Sequence, residues 1–280
     1  MTPVVRHLAV TLAFAVAMLG TAVGVGVLGG DPIDEAAGGL LSADATHLAP
    51  AAPAFRIWSV IYAGLAAYTL WQWRDARDPR RIAALAIASL LLNAAWILVV
   101  QAGWVWVSVL VILALLAVLA VLFRRLVLRP AQGVLERVVV DGTFGLYLGW
   151  VSVATCANIA AALAGAGVDG FGVPGFLAIA VILVVGVIAL ALIGLGRSRT
   201  GRAPLAAPAA MVWGLAWIAV GRATDAPHAP AVAAVAAAVA AVVAALIAAA
   251  AVVQAVRRPD PSRVARAAVG SRSTADGATR

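Results

Sequence analysis

Eight long apolar stretches divide this chain, at about residues 8–29, 55–73, 82–101, 104–123, 143–165, 175–195, 204–221 and 229–256. Each approaches or exceeds the roughly 20 residues that carry a helix across the hydrocarbon of a bilayer. Inside lipid a main-chain N–H or C=O finds no water, so such segments are stable as helices whose hydrogen bonds close within the segment. This one feature excludes an ordinary soluble enzyme, a secreted disulfide domain, a coiled coil and a disordered chain. The expected fold class is an all-α membrane protein, a polytopic bundle of about eight transmembrane helices. Composition agrees: 64% of the residues are hydrophobic and 11% charged, against about 45–50% and about 25% in soluble domains.

The charges supply a second pattern. There is no lysine, and the net charge of +8 comes entirely from arginine. Arg6 precedes the first span; Asp31, Asp34, Glu35 and Asp44 fill the next loop. Arg74, Arg77, Arg80 and Arg81 follow the second span, and a tight turn at Gly103 follows the third. Arg124, Arg125, Arg129 and Arg137 come next, then Asp169 alone. Arg197, Arg199 and Arg202 follow, then Arg222 with Asp225, and then an arginine-rich tail. Arginine-rich and arginine-poor loops alternate, which by the positive-inside rule means eight spans with both termini cytoplasmic. The basic excess therefore reads as a topology code, and no nucleic-acid partner is expected. A multi-pass protein of a bacterial plasma membrane fits this pattern. The first span exceeds the core of a signal peptide and is expected to be retained. The tail 257–280 lacks an apolar face and is expected to be disordered.

Polar and aromatic residues inside the spans mark an interior. Seven of nine tryptophans lie between residues 58 and 150. Trp71, Trp73, Trp104 and Trp106 sit at span ends, where an aromatic belt accounts for them. Trp96 and Trp150 lie inside their spans. Asn93 and Asn158 would leave costly unsatisfied amides if they faced lipid, so both are expected to face the bundle interior. Ser89, Asn93 and Trp96 share one helical stripe, and Trp58, Tyr62 and Leu65 another. These groups suit either helix–helix hydrogen bonding or a shared pocket.

Three segments also resemble a known family. Trp58-Ser59-Val60-Ile61-Tyr62, with Pro53 and Phe55 before it, is similar to the WTxLY segment at the start of the second helix in the tryptophan-rich sensory protein/translocator protein (TspO/MBR) family. Leu92-Asn93-Ala94-Ala95-Trp96 resembles its LNxxW in the third helix. Tyr147-Leu148-Gly149-Trp150 through Ala154 to Asn158 resembles its YLxWxxFAxxLN in the fifth. The chain looks like a longer, divergent member, with a five-helix unit over 1–165, three additional transmembrane helices over 166–256 and the tail 257–280. The loop 30–54 has no tryptophan, unlike that of short members, and Val153 stands in place of an aromatic residue.

The resemblance implies a pocket covered by the loop between the first two helices, and a hydrophobic planar ligand such as a porphyrin. It implies ligand-binding roles for Trp58, Tyr62, Asn93, Trp96, Tyr147, Trp150 and Asn158, with Phe55 beside them. Arg56, at an outer span end, is read either as snorkelling to the interface or as the partner of an anion such as a ligand carboxylate or Asp44. The expected function is membrane binding, sensing or transport of that ligand. The alternative is facilitated passage of a small lipophilic solute, since no carboxylate sits mid-span to couple ions.

No catalytic residues, metal or cofactor are expected. The three histidines lie far apart, and Cys156 in its apolar span reads as an inert buried thiol. Tetrapyrrole breakdown stays open through the resemblance alone. The last span, nearly all Ala and Val, is expected to pack closely against neighbouring helices, and its small residues allow a homodimer.

Overall fold

A computed structural model describes residues 2–75, 77–168, 173–200 and 205–256, with side chains of 195–200 outside the description. The expected disordered tail, and the charges of Asp169, Arg197, Arg199 and Arg202, lie outside the described residues. Eight helices account for the eight apolar stretches: α1 (Pro3–Gly24), α2 (Ile57–Trp71), α3 (Ala83–Gln101), α4 (Val105–Leu128), α5 (Thr143–Gly165), α6 (Gly175–Thr200), α7 (Ala206–Thr224) and α8 (Pro230–Val256). Among the described residues there is no strand. The chain is an all-α polytopic bundle, and seven of its helical stretches are individually long and apolar enough to cross a membrane.

The exception is α2. Its 15 α-helical residues rise only about 22 Å, short of the roughly 30 Å hydrocarbon core. Tighter turns extend it at both ends, Ala52–Arg56 before and Gln72–Arg74 after. Pro53 starts the first of these turns, where a missing N–H costs nothing. At α1, Thr2 caps the free N–H of Val5 and Pro3 opens the helix. Gly103, at φ +74°, makes the short turn between α3 and α4, a backbone conformation that a side chain resists. A helical turn Val134–Glu136 and a wide π-type turn Arg137–Gly142 lead directly into α5.

Two apolar cores form. The first is built by α1 to α5, with Ile61, Leu65, Leu90, Leu119, Phe144 and Trp150 at its centre. The second is built by α6, α7 and α8 around Ile182, Val185, Met211, Leu215 and Val243. Helix α7 belongs to both: Ala207 and Ala210 enter the first core and Met211, Leu215 and Ile218 the second.

The α5–α7 crossing is close because both surfaces are small. A methyl group on Gly149 would lie 2.1 Å from the carbonyl oxygen of Ala207, and one on Gly145 would lie 2.7 Å from Cβ of Ala206. Gly145 and Gly149 are four apart and so share one face, the small-xxx-small pattern that lets helix backbones touch in lipid. Helix α8 packs against α6 and α7, and Gly186 of α6 accommodates Val239 of α8.

Candidate functional site

The loop from Val25 to Ala51 folds back over one end of α1–α5. Gln101, at the end of α3, holds its first part: Oε1 accepts from the N–H of Asp31 (3.0 Å) and Nε2 donates to its carbonyl (2.6 Å). The second part is held by α7. Arg222 donates from Nη1 to the carbonyl of Thr46 (2.8 Å) and from Nη2 to that of Ala43 (2.7 Å). Trp213 donates its indole N–H to the carbonyl of Ala54 (2.8 Å), and the N–H of Ala51 donates to the carbonyl of Trp217 (3.1 Å). His47 donates from Nδ1 to the carbonyl of Val173, just ahead of α6 (3.0 Å).

Arg222 read from the sequence as a loop charge after the seventh span. It lies instead within α7 and is fully buried. A guanidinium removed from water needs partners for its donors; three main-chain oxygens, the third that of Pro227, accept from Nη1 and Nη2, while Nε has no partner among the described residues.

A cavity of about 420 Å³ lies beneath this loop. Thr21 of α1, Trp58, Ser59 and Tyr62 of α2 and Trp96 of α3 line it, together with Ile33, Ala43 and Phe55 from the loop side. The ring planes of Trp58 and Tyr62 stack at 18°, with centroids 5.2 Å apart, because the two residues are one helical turn apart. Behind this wall, Tyr147 and Trp150 of α5 meet Trp58 edge-on at 5.8 and 6.4 Å, and Phe55 meets Trp150 edge-on at 5.8 Å. Edge-on and offset stacking are the favoured aromatic geometries, so five rings form one packed cluster.

The amides hold the helices that carry these rings. Asn93 donates from Nδ2 to the hydroxyl of Tyr62 (3.0 Å), tying α3 to α2. Trp96 donates its indole N–H to Oδ1 of Asn158 (2.7 Å), and Asn158 donates from Nδ2 to Oγ of Ser108 (3.0 Å), so one amide joins α3, α4 and α5. Tyr147 donates its hydroxyl to the carbonyl of Ser89 (3.2 Å).

The structure thus brings together eight of the nine sequence-derived residues. Phe55, Trp58, Tyr62 and Trp96 touch the large cavity. Trp150 and Asn158 line, with Phe55, Trp96 and Thr46, a smaller neighbouring space of about 40 Å³. Asn93 and Tyr147 stand behind the wall as supports. The indole N–H of Trp150 and the hydroxyl of Thr46 are both buried without a hydrogen-bond partner among the described residues, and both face the smaller space. A space of this size admits one water or one ligand oxygen.

Arg56 is the ninth. It is exposed and lines neither cavity. The arginine whose field reaches Asp44 is Arg222; the Asp44 carboxyl is held below its usual range first by the hydroxyl of Ser42, with Arg222 a smaller contribution.

Sequence reasoning missed Ser108, Trp213 and Arg222. Ser108 was signalled as the one hydroxyl in the apolar run 105–123, and Arg222 as an arginine at an otherwise arginine-poor end.

No curated protein and no solved structure matches the chain significantly. A family model described as TSPO-like protein matches residues 7–249, from α1 through most of α8. That match covers far more than half of the sequence, and the chain belongs to the TSPO-like protein family, as a multi-pass membrane protein of binding or transport character.

Proposed function

We propose that the cavity beneath the α1–α2 loop binds a hydrophobic planar ligand of the porphyrin type, and that the protein senses or carries it. The carrying observation is the stacked pair Trp58 and Tyr62, which with Trp96 lines a cavity of about 420 Å³. Flat aromatic faces suit a flat apolar macrocycle, and this volume lies within the roughly 300–1,000 Å³ of small-molecule sites. The unpartnered indole N–H of Trp150 beside the cavity suits one ligand oxygen. The alternation of arginine supports placement in a plasma membrane with both termini cytoplasmic.

Protoporphyrin added to the purified protein should quench tryptophan fluorescence saturably. Trp96→Ala should weaken its apparent affinity by about tenfold, the scale of a lost aromatic contact. Quenching that rises linearly without saturation, or that is unchanged in both Trp58→Ala and Trp96→Ala, rejects this assignment.

A further inference from the structure

A second cavity, of about 430 Å³, lies at the arginine-rich end of the bundle. It sits between the end of α2 and the segment that leads into α5, and Trp71, Arg74, Arg80, Arg129, Gln132 and Glu136 line it. The segments 72–82 and 124–141 around it carry eight arginines and four acidic residues.

Its carboxylates are already engaged. Glu136 accepts from Arg80 (3.1 Å) and from the N–H of Gln132 (2.9 Å). Asp75, also on the wall, accepts from the N–H groups of Arg77 (3.2 Å) and Asp78 (3.1 Å). The guanidinium groups are not used up to the same degree. Arg80 is buried; it pairs with Glu136 and Asp141 and donates to the carbonyl of Leu126, but its Nε has no hydrogen-bond partner among the described residues. Arg129 donates from Nη1 to the carbonyl of Pro79 (3.1 Å). Arg74, exposed on the wall, has no hydrogen bond or ion pair among the described residues.

The wall therefore offers free N–H donors and an excess of positive charge. Planar guanidinium forks match the oxygens of a phosphate group better than any other side chain does. The residues that flank this wall in sequence supply an apolar rim: Leu70, next to Trp71, and Val134, Leu135 and Val138, on either side of Glu136, are each more than half exposed. A soluble anion has no use for such a rim, whereas a lipid needs both parts. Basic pockets between transmembrane helices are where anionic headgroups bind.

We propose that this cavity is a headgroup site for an anionic phospholipid, with the phosphate held by Arg74 and Arg129 beside Nε of Arg80 and the acyl chains lying along the apolar rim. The site is separate from the aromatic cavity and does not depend on what that cavity binds.

Native mass spectrometry of the full chain, purified from nanodiscs of phosphatidylglycerol and phosphatidylcholine, tests this. The wild type should retain phosphatidylglycerol in preference to phosphatidylcholine. Arg74→Gln with Arg129→Gln should lower that retention at least about tenfold relative to Arg77→Gln with Arg124→Gln, the scale of one lost charge-assisted hydrogen bond. Both pairs remove the same charge from the same end of the bundle, but neither Arg77 nor Arg124 lines the cavity. Arg74→Lys with Arg129→Lys should restore part of the retention, which separates lost recognition from misfolding. Equal loss in both glutamine pairs would make the effect a diffuse surface potential and overturn the proposal. Equal retention of the two lipids, or displacement of the bound lipid by inorganic phosphate alone, overturns it as well.

Discussion

The guanidinium of Arg222 donates to the carbonyl of Thr46 at 2.8 Å and joins positions 176 residues apart. This bond fixes the loop that roofs the aromatic cavity to a helix that takes no part in the cavity wall. Replacing Arg222 by Met should leave the buried carbonyl of Thr46 and the part-buried one of Ala43 without donors. At about 1–3 kcal/mol for each unsatisfied buried group, the loop should loosen by about 2–4 kcal/mol. Hydrogen exchange is the direct readout: amides of residues 42–51 should exchange faster, and amides in the middle of α3 should not. Arg222→Lys should fall between, because one ammonium cannot present two donors as a planar fork.

The same loop carries a pH dependence of definite sign. The Asp44 carboxyl is held below its ordinary value of 3.8, chiefly by the hydroxyl of Ser42 and its own backbone, with a smaller contribution from Arg222. A depressed folded-state value adds stability that is present above the unfolded value and is lost as pH falls through the folded one. Loop protection should therefore be constant above about pH 5 and decline below about pH 4. Asp44→Asn should remove that decline. An identical acid profile in Asp44→Asn would assign it to another carboxylate.

Much of this arrangement was legible in the sequence because lipid imposes few choices. A run of 20 apolar residues has one stable backbone conformation in hydrocarbon, and the boundaries of α3, α5 and α8 agree with the apolar runs to within a residue. Asn93, Trp96, Trp150 and Asn158 stood out because a polar or bulky group inside a span needs a reason. What local pattern does not encode is partner choice across the chain. Arg222 resembles any span-end arginine until the loop near Thr46 folds onto it, and Ser108 resembles helix glue until Asn158 reaches it. The role of α7 was equally hidden, since its apolar composition matches that of a helix packed on one side alone.

Asn158 is the shared partner of two helices, and its loss should be felt at both. Asn158→Leu would leave the indole N–H of Trp96 and the hydroxyl of Ser108 without it. Polar contacts between membrane helices are worth about 0.6–2 kcal/mol each, so a destabilisation of about 1–3 kcal/mol is expected. In a double-mutant cycle of reversible unfolding in detergent, Trp96→Phe and Asn158→Leu should couple by roughly 0.5–1.5 kcal/mol. Trp73→Phe, at an exposed span end, should not couple with Asn158→Leu. Additivity of the first pair would mean that the 2.7 Å bond contributes nothing net.

Two glycines predict opposite outcomes for one substitution. At Gly149 a methyl group would lie 2.1 Å from the carbonyl oxygen of Ala207, main chain that cannot turn aside. Gly149→Ala should push α7 away from α5 and destabilise by about 1–3 kcal/mol, as overpacking does. At Gly194 in α6 the same methyl group meets nothing within 4 Å. Gly194→Ala should be neutral or stabilise by up to about 1 kcal/mol, because alanine loses less backbone freedom in a helix. Thermal unfolding of both variants beside the parent checks the sign of each effect.

Removal of α6 to α8 tests how far residues 1–165 stand alone. A chain cut after residue 170 would keep the rings at and behind the cavity wall: Phe55, Trp58, Tyr62, Trp96, Tyr147 and Trp150. It would lose Trp213, Trp217 and Arg222, which hold the carbonyls of Ala54, Thr46 and Ala43 and the N–H of Ala51. It would also expose the Gly145 and Gly149 face that α7 covers. The expected outcome is a chain that inserts and stays helical but leaves its roof loop unprotected. Porphyrin quenching should then be weakened by about tenfold or more, since at least one buried charged hydrogen bond to the roof is gone. Circular dichroism and proteolysis of the loop, read together with quenching, distinguish this from collapse of the bundle. If the cut chain binds as tightly as the full one with its loop equally protected, α7 has no part in closing the cavity.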